Sequence, residues 1–208
     1  MRIVCIADTH KTHKMYDLKI PKGDLLIYAG DDDWSFSSQV KDFNKWLKTI
    51  DIPNKIVIAG NHDWYAQEPK NKVIKYLTEA VYLRSSGCEI NGLKIWGSPY
   101  TPIFCDWAFN LYYEELKIEW DKIPEDTNIL ITHGPPYGIL DKVLPREDSV
   151  GDTALANRIT KLSNLKLHVF GHIHCQYGIE KKGEVTFVNA SLCNEAYAPV
   201  NKPIEVEI

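Results

Sequence analysis

Aspartate, asparagine and histidine residues gather in five short clusters that lie far apart along the 208-residue chain. The clusters are Asp8-Thr9-His10, Gly30-Asp31-Asp32-Asp33, Gly60-Asn61-His62-Asp63, His133-Gly134-Pro135-Pro136 and Gly171-His172-Ile173-His174. Carboxylate oxygens, amide oxygens and imidazole nitrogens are ligands for divalent metal ions. Such ligands are offered by Asp8, His10, Asp31, Asn61, His133, His172 and His174. The clusters therefore predict a metal centre if the fold brings them together.

The number and type of these ligands indicate which ions would bind. Seven ligands exceed the four that one tetrahedral ion takes. They suit two ions that share a carboxylate, an arrangement that holds both the attacking and the leaving oxygen of a phosphoryl group. Mixed nitrogen and oxygen ligands without thiolates favour Mn²⁺, Fe or Zn²⁺ over Mg²⁺ or Ca²⁺. We therefore predict two divalent metal ions as cofactors.

Each cluster also has a structural explanation when it is taken alone. Asp8 could end a strand in a turn, and Asn61 could occupy a left-handed turn position. The acidic triplet Asp31-Asp32-Asp33 could be a solvated loop that caps a helix starting near Ser35. Five such coincidences after five separate strands are much rarer than any one of them, so the metal centre is favoured.

Buried strands must position these clusters. Five short apolar runs, at residues 2–7, 25–29, 55–59, 128–132 and 166–170, each end directly before a cluster. Runs of this length are typical of strands that are buried on both faces. Ligands of open α/β sheets bind beyond the carboxyl ends of the strands, so the clusters should meet at one edge.

Helical patterns alternate with these strands. Apolar residues recur at helical spacing over residues 36–50, less regularly over 73–81, and again over 155–162. Hairpins are predicted over residues 88–96, around Asn91-Gly92, and over 179–187, around Lys182-Gly183. Together they indicate a layered α/β fold with mixed sheets.

Two histidines fall outside the clusters. His168 lies within a predicted strand and is interpreted as structural or edge-facing. His13 lies in a lysine-rich loop and is expected to be solvated.

The ordered clusters resemble the signature of the calcineurin-like metallophosphoesterases, D-x-H, G-D, G-N-H-[DE], H and G-H-x-H. Segments 132–136, 167–171 and 189–191 resemble the branch of metallophosphoesterase-domain-containing proteins, so the likeness covers nearly the whole chain. The resemblance implies a four-layer α/β/β/α sandwich, in which helices flank two mixed β-sheets and the metals lie at the strand ends.

The resemblance also implies roles for individual residues. One metal would be held by Asp8, His10, Asp31 and His174, and the other by Asp31, Asn61, His133 and His172. Asp31 would bridge the two, and His62 would face the phosphate without binding metal. Some members of this branch lack the first histidine of G-H-x-H and are weakly active, whereas this chain retains it as His172.

One departure concerns the support of His62. In protein Ser/Thr phosphatases of this superfamily the motif G-D-x-x-D-R-G supplies a second aspartate that supports the catalytic histidine. Here Trp34 stands at that position and no Arg-Gly follows, which disfavours a protein phosphatase. Either Asp63 or Asp33 could support His62 instead.

These features predict a phosphodiesterase that acts on small diesters, including cyclic nucleotides, through a metal-activated hydroxide. Catalytic roles are assigned to Asp31, Asn61 and His62; Asn61 and His62 would contact the substrate, and His62 would protonate the leaving oxygen. Arginines are scarce, with none inside a cluster, which favours diesters over monoesters. Alternatives are a nuclease or phosphomonoesterase of the same superfamily, or a metal-binding scaffold without catalysis.

Composition limits the remaining possibilities. With 44% hydrophobic and 25% charged residues, the chain is expected to form one globular domain over residues 1–208. The net charge of −4 disfavours long nucleic acid as a partner. Without a long apolar run, and with Asp8 interrupting the first strand, neither membrane insertion nor a targeting segment is expected. Five scattered cysteines fit reduced thiols in a cytoplasmic protein, while the oligomeric state is left open.

Overall fold

The secondary structure is rich in short strands. The computed structural model describes residues 1–14 and 18–208. In chain order the strands are β1 (Arg2–Ile6), β2 (Leu25–Tyr28), β3 (Asn54–Val57), β4 (Val81–Tyr82), β5 (Ser86–Ile90), β6 (Leu93–Ser98), β7 (Thr101–Pro102), β8 (Asn110–Leu111), β9 (Ile129–Thr132), β10 (Lys142–Val143), β11 (Asp148–Ser149), β12 (Leu167–Phe170), β13 (Gly178–Lys182), β14 (Val185–Asn189) and β15 (Ile204–Glu207). The α-helices are α1 (Ser37–Lys48), α2 (Trp64–Gln67), α3 (Tyr113–Trp120) and α4 (Thr153–Ile159), with 3-10 turns at Thr12–Lys14, Val73–Lys75 and His174–Gln176.

Most of these strands belong to two mixed sheets. The first has the order β15-β1-β2-β3-β4, in which β1 to β4 are parallel and β15 is antiparallel to β1. The second has the order β13-β14-β12-β9-β6-β5, with four parallel central strands and antiparallel edges. The five predicted strands are confirmed as β1, β2, β3, β9 and β12.

The sheets pack face to face and helices cover their outer faces. Ile3 and Ile27 point from the first sheet into a core shared with Ile131 and Val169 of the second. Alternate residues point outward, because side chains of a strand alternate between its faces. These outward residues include Val4 and Leu26 under α1, and Leu130 under α3 and α4. The fold is the predicted four-layer sandwich, and burial on both faces explains the continuous apolar runs.

Helix α1 occupies most of the predicted span 36–50. Its buried face carries Val40, Phe43, Trp46 and Leu47, which pack on the first sheet. Phe36 precedes the helix in an extended conformation, where its side chain is exposed. The Gln39 side-chain oxygen accepts the N–H groups of Ser35 and Phe36 at 2.7 and 2.8 Å. These bonds satisfy donors that no helical partner can reach at a helix start.

The helix predicted over 73–81 is wrong. Only Val73–Lys75 forms a 3-10 turn, and Val81 instead pairs with Ile56 in β4. The N–H groups of Thr78 and Glu79 donate to the Asn44 side chain at 2.8 and 2.9 Å, so they are not available to a helix. The remaining helix and both hairpins are confirmed as α4, β5–β6 and β13–β14. Among the described residues, no helix has the length and apolarity needed to cross a membrane.

His13 is not solvated as expected. Its Nδ1 lies 2.7 Å from Asp32 Oδ1, and its ring packs against Phe43 and Trp46. Asp32 is itself buried and also accepts a hydrogen bond from the Thr9 hydroxyl at 2.7 Å. The middle residue of the acidic triplet therefore joins the β1 and β2 loops, which excludes the alternative of a solvated loop for this residue.

His168 is structural, as predicted from its position within a strand. It is buried in β12, where its Nε2 lies 2.8 Å from the Thr132 hydroxyl and its Nδ1 has no hydrogen-bond partner. Burial lowers the pKa of His168 to about 3.

We expect His168 to make folding sensitive to mild acid. The unfolded chain takes up a proton at this residue below about pH 6.5, whereas the folded chain does not until about pH 3. Stability is therefore fully present above pH 6.5 and is lost as the pH falls, by about 2 kcal/mol at pH 5. The substitution His168→Leu should remove this loss, measured by urea unfolding at pH 7 and pH 5. An unchanged difference between the two pH values would contradict the assignment.

Candidate metal centre

The five clusters meet where the two sheets adjoin. Asp8 and His10 follow β1, Asp31 follows β2, Asn61 and His62 follow β3, His133 follows β9, and His172 and His174 follow β12. Backbone hydrogen bonds join neighbouring loops: the Asp8 N–H donates to the Gly30 carbonyl at 2.9 Å, and the Gly171 N–H donates to the His133 carbonyl at 2.9 Å. The convergence follows from parallel strands, whose carboxyl ends lie at the same edge of a sheet.

Asp8, His10 and His174 form the first group of facing ligand atoms. The Nε2 atoms of the two histidines are 3.2 Å apart. Their Nδ1 atoms bind elsewhere, that of His10 to Asp33 Oδ1 at 2.9 Å and that of His174 to the Asn194 carbonyl at 2.9 Å. Because each Nδ1 donates to an oxygen acceptor, Nε2 is the atom of each ring that can bind a cation, and the two Nε2 atoms face each other.

The carboxylate of Asp8 completes this first group. Its Oδ1 is buried, lacks a hydrogen-bond partner and lies 3.8 Å from His174 Nε2. Its Oδ2 accepts the His172 N–H at 2.9 Å and lies 2.5 Å from the Ser191 hydroxyl. One oxygen is thus held by the protein, and the other is directed at two imidazole lone pairs. A bound cation would satisfy all three acceptors.

Asp31, Asn61 and His133 form the second group. His133 Nε2 lies 2.8 Å from Asn61 Oδ1 and 3.2 Å from Asp31 Oδ2, while its Nδ1 donates to the Ala29 carbonyl at 2.9 Å. Burial alone would lower the pKa of His133, but attraction to Asp31 raises it to about 9. Burial would raise the pKa of Asp31, but His133 holds it well below its ordinary value. The second group therefore favours positive charge at His133 Nε2, and a divalent ion bound there would replace the proton.

His172 lies beside the second group without belonging to either group. Its ring meets that of His133 edge to face, with centroids 5.0 Å apart, and its backbone N–H donates to Asp8. Burial and the neighbouring His133 lower the pKa of His172 to about 3. The ring is therefore neutral near pH 7, as a metal-binding imidazole must be.

These donors fit two divalent ions. Buried acceptors converge in both groups, and they are nitrogen and oxygen atoms without a thiolate. Asp8 belongs to the group with His10 and His174 and also to one with Asp31 and His133. Asp31 Oδ1 accepts the His62 N–H at 2.8 Å. A bridging position of Asp31 between two ions stays a prediction.

Asp63 has a positioning role that was left open by the sequence. Its carboxylate accepts backbone N–H groups from Gly60, Asp31, Asp32 and Trp34, at distances between 2.8 and 3.2 Å. It therefore holds the β2 and β3 loops together and is not available to His62. Asp33 lies beside His62 instead, with Oδ1 3.3 Å from His62 Nδ1.

Asp33 contacts two imidazoles at once. Its Oδ1 accepts from His10 Nδ1 and faces His62 Nδ1. Burial would raise the pKa of Asp33, but these two histidines hold it well below its ordinary value, so the carboxylate is charged. The opposite face of the His62 ring stacks on Trp107, with centroids 4.2 Å apart.

Asn189 and Ser191 are two further positioning residues that the motif spacing did not indicate. The Asn189 side chain donates to the Ile173 carbonyl and lies 2.8 Å from the Ser191 hydroxyl, which in turn contacts Asp8. The segment 189–191 attracted attention only through its family resemblance. Its polar residues at the end of a strand were a signal of the same kind as the five clusters.

A cavity of about 390 Å³ opens onto the two groups. Its lining contains Asp31, Asn61, His62, Phe104, Trp107, Val143, Leu144, His172, Ile173, His174, Cys175, Glu195 and Tyr197. No lysine or arginine is among these residues. A small molecule can therefore reach the ligands and His62 without meeting a cationic side chain.

Gly171 is required for the close approach of Asp8. A Cβ at this position would lie 2.2 Å from Asp8 Oδ2 and 2.6 Å from the Ala7 Cβ. We expect Gly171→Ala to displace the Asp8 carboxylate and lower the metal content from two equivalents to about one, measured by elemental analysis after reconstitution. Gly134→Ala is the matched control, because its Cβ would meet no heavy atom closer than 3.2 Å. Equal metal content in both variants would show that Asp8 is not held this tightly.

The fold and the acid–histidine cluster are those of a phosphoesterase. The calcineurin-like phosphoesterase family model matches residues 1–176. Metallophosphoesterase domain-containing protein 1 from Homo sapiens is 40% identical over 232 aligned positions, which cover 100% of this chain and 71% of that protein. The protein of the same name from Mus musculus gives the same values. A solved crystal structure at 12% identity shares the fold, with a TM-score of 0.66 over 90% of this chain and 89% of that one.

The chain belongs to the calcineurin-like phosphoesterase family. Members of this superfamily use a centre of two divalent metal ions, and membership implies a hydrolase acting on phosphoric esters. The two groups of ligand atoms described above lie where such a centre is needed, beyond the carboxyl ends of the parallel strands.

Proposed function

We propose that this protein hydrolyses small phosphodiesters, cyclic nucleotides among them, at a centre of two divalent ions. One ion is assigned to Asp8, His10, Asp31 and His174, and the other to Asp31, Asn61, His133 and His172. The observation that carries the proposal is the convergence of buried acceptor atoms on the floor of a small cavity that also contains His62. Mn²⁺, Fe or Zn²⁺ best match the mixed nitrogen and oxygen donors.

Bound divalent ions would supply a nucleophile near neutral pH and neutralise charge on the phosphoryl oxygens. Side chains of the protein would contact the substrate and transfer the proton. Asn61 directs its Oδ1 at His133, which leaves its amide N–H groups free to donate to a phosphoryl oxygen. His62 is placed to hold the proton that the leaving oxygen requires. Asp33 and Trp107 fix the His62 ring from two sides.

The charge of the cavity supports diesters over monoesters. A monoester carries two charges on phosphorus, and sites that prefer it commonly add an arginine clamp. The cavity lining contains neither arginine nor lysine, and Glu195 adds a negative charge. A diester with one charge is therefore the better match.

The same absence of cationic lining disfavours a nuclease. A polymer would need a basic groove to hold its phosphates, and the chain has a net charge of −4. A scaffold without catalysis is disfavoured by His62, which would have no reason to be oriented by Asp33 beside a purely structural metal site.

A substrate panel tests the proposal. The protein is reconstituted with Mn²⁺, Fe²⁺, Zn²⁺, Co²⁺ or Ni²⁺ and offered bis-p-nitrophenyl phosphate, p-nitrophenyl phosphate, cyclic nucleotides and a labelled oligonucleotide. Faster turnover of the small diesters supports the proposal. Preference for the monoester would favour a phosphomonoesterase, and degradation of the oligonucleotide a nuclease. Two bound equivalents without turnover of any ester would favour the scaffold.

A further inference from the structure

A second cavity, of about 420 Å³, adjoins the cavity at the metal centre. The two cavities share Phe104, Val143, His172 and Ile173. The second cavity is completed by Pro102, Ile103, Gly134, Pro135 and Val150. Apart from the His172 ring, its side chains are apolar, and its lining contains no carboxylate, lysine or arginine. A group bound there would meet hydrocarbon on most sides.

This apolar cavity begins at the metal centre itself. Gly134 and Pro135 follow the ligand His133 directly in the chain. The Phe104 ring contacts the His172 ring edge to face, with centroids 5.1 Å apart. A molecule whose phosphorus lies at the metal ligands can therefore extend into the apolar cavity past these two rings.

The apolar side chains at the rim are unusually exposed. Ile103, Phe104 and Val150 expose 46%, 40% and 43% of their surface. Clustered exposed apolar residues beside a site commonly mark a surface that a ligand covers. The cavity has the volume of a small-molecule pocket, and its continuity with the metal centre points to a part of the substrate as the occupant.

We propose that this cavity, here called the arm pocket, binds an uncharged apolar substituent of the phosphoric ester, either alkyl or aryl. The inference rests on the proposed function and specifies its substrate class. A second phosphate or another charged group would lose its hydration without gaining a partner among these side chains. The arm pocket thus selects esters with one apolar arm and disfavours polyphosphates and nucleic acid strands.

Phosphonates with a single substituent test the arm pocket directly. Butylphosphonate and methylphosphonate carry the same anionic head group. The ratio of their dissociation constants therefore measures how much the longer alkyl group adds to binding. Calorimetric titration of the metal-reconstituted protein should show butylphosphonate binding at least about tenfold more tightly, because three additional methylene groups leave water. Phenylphosphonate should show a similar preference over methylphosphonate.

Variants on two walls of the arm pocket test whether the preference for butylphosphonate arises there. Val150→Asn and Ile103→Asn should each reduce the butyl-to-methyl ratio to about threefold or less, because a polar side chain would then face the alkyl group. Ile118→Asn is the matched control, since Ile118 is 65% exposed on α3 and lines neither cavity. Its ratio should equal that of the unmodified protein.

The outcomes separate this inference from the proposed function. A ratio near one, or a ratio that neither pocket variant changes, would overturn the arm pocket, and so would failure of both phosphonates and of their singly charged monomethyl esters to bind. If bis-p-nitrophenyl phosphate is still hydrolysed in any of these cases, the proposed function stands without it. If no ester is hydrolysed but the ratio behaves as expected, the pocket stands and the proposed function fails.

Discussion

Asp8→Asn should lower kcat/KM for any phosphoric ester by at least about a thousandfold, about 4 kcal/mol of transition-state stabilisation. The substitution keeps the size of the side chain, but the neighbouring hydrogen-bond donors hold the new amide in an orientation that opposes metal binding. The His172 N–H requires an acceptor at the position of Asp8 Oδ2, whereas the Ser191 hydroxyl also has Asn189 Oδ1 within 2.8 Å. The new amide must therefore place its NH₂ group where Oδ1 now lies, directed at His174 Nε2. A donor at this position repels a cation and can itself bond to the imidazole.

Elemental analysis should accordingly find at most one equivalent of metal in the Asp8→Asn protein, against two in the unmodified protein. Folding should persist, because the change removes a buried oxygen without a hydrogen-bond partner. Asp24→Asn is the matched control: Asp24 also accepts a backbone N–H, that of Arg2 at 2.8 Å, but it lies exposed before β2. Two retained equivalents in the Asp8→Asn protein would remove Asp8 from the metal centre.

Local sequence patterns were sufficient to predict the five central strands and the convergence of their terminal clusters. A strand buried on both faces needs a continuous apolar run, and a chain leaving such a strand needs turn residues and polar groups. Asp8, Asp31 and His133 were therefore found by position alone, before any distance was known. The division into two sheets was implied by family resemblance, and the order of the strands within each sheet was not predicted, because apolar runs do not specify which strand pairs with which.

The partners of individual polar side chains could not be predicted in this way. The sequence offers both Asp33 and Asp63 as partners of His62, because each is an aspartate in a loop that follows a predicted strand. The structure separates them because Asp63 turns inward to four backbone N–H groups, whereas Asp33 faces two histidines. That choice depends on where the β3 loop lies relative to the β2 loop, which is a property of tertiary packing.

The two wrong predictions have the same origin. Val73, Leu77 and Val81 repeat at helical spacing. The N–H groups that follow Leu77 nevertheless donate to a distant asparagine, Asn44, and an available strand edge pairs with Val81 in β4. His13 lies among lysines in sequence but meets a buried carboxylate in space. Periodicity and neighbouring charges are weak constraints where a few long-range contacts determine the local conformation.

His62→Ala should separate metal binding from proton transfer. His62 clusters with His10 and Asp33 but is in neither of the two ligand sets assigned to the ions, so two metal equivalents should remain. Turnover of an alkyl diester should fall about 10²- to 10⁴-fold, because a poor leaving group requires a proton from the protein. Turnover of bis-p-nitrophenyl phosphate should fall less than about tenfold, because p-nitrophenolate leaves without one. The measurement is kcat for both substrates with the metal content of each sample determined in parallel.

Further measurements distinguish proton donation by His62 from a purely structural role of its ring. Removing the ring also removes its stacking contact with Trp107, which would affect both substrates equally. Added imidazole should restore part of the alkyl-diester activity and leave the p-nitrophenyl diester unchanged. Asp33→Asn should show the same leaving-group dependence more weakly, since it loosens His62 without removing it. Equal losses on both substrates in the His62→Ala protein, with no rescue, would assign His62 to binding and leave the leaving oxygen to take its proton from water.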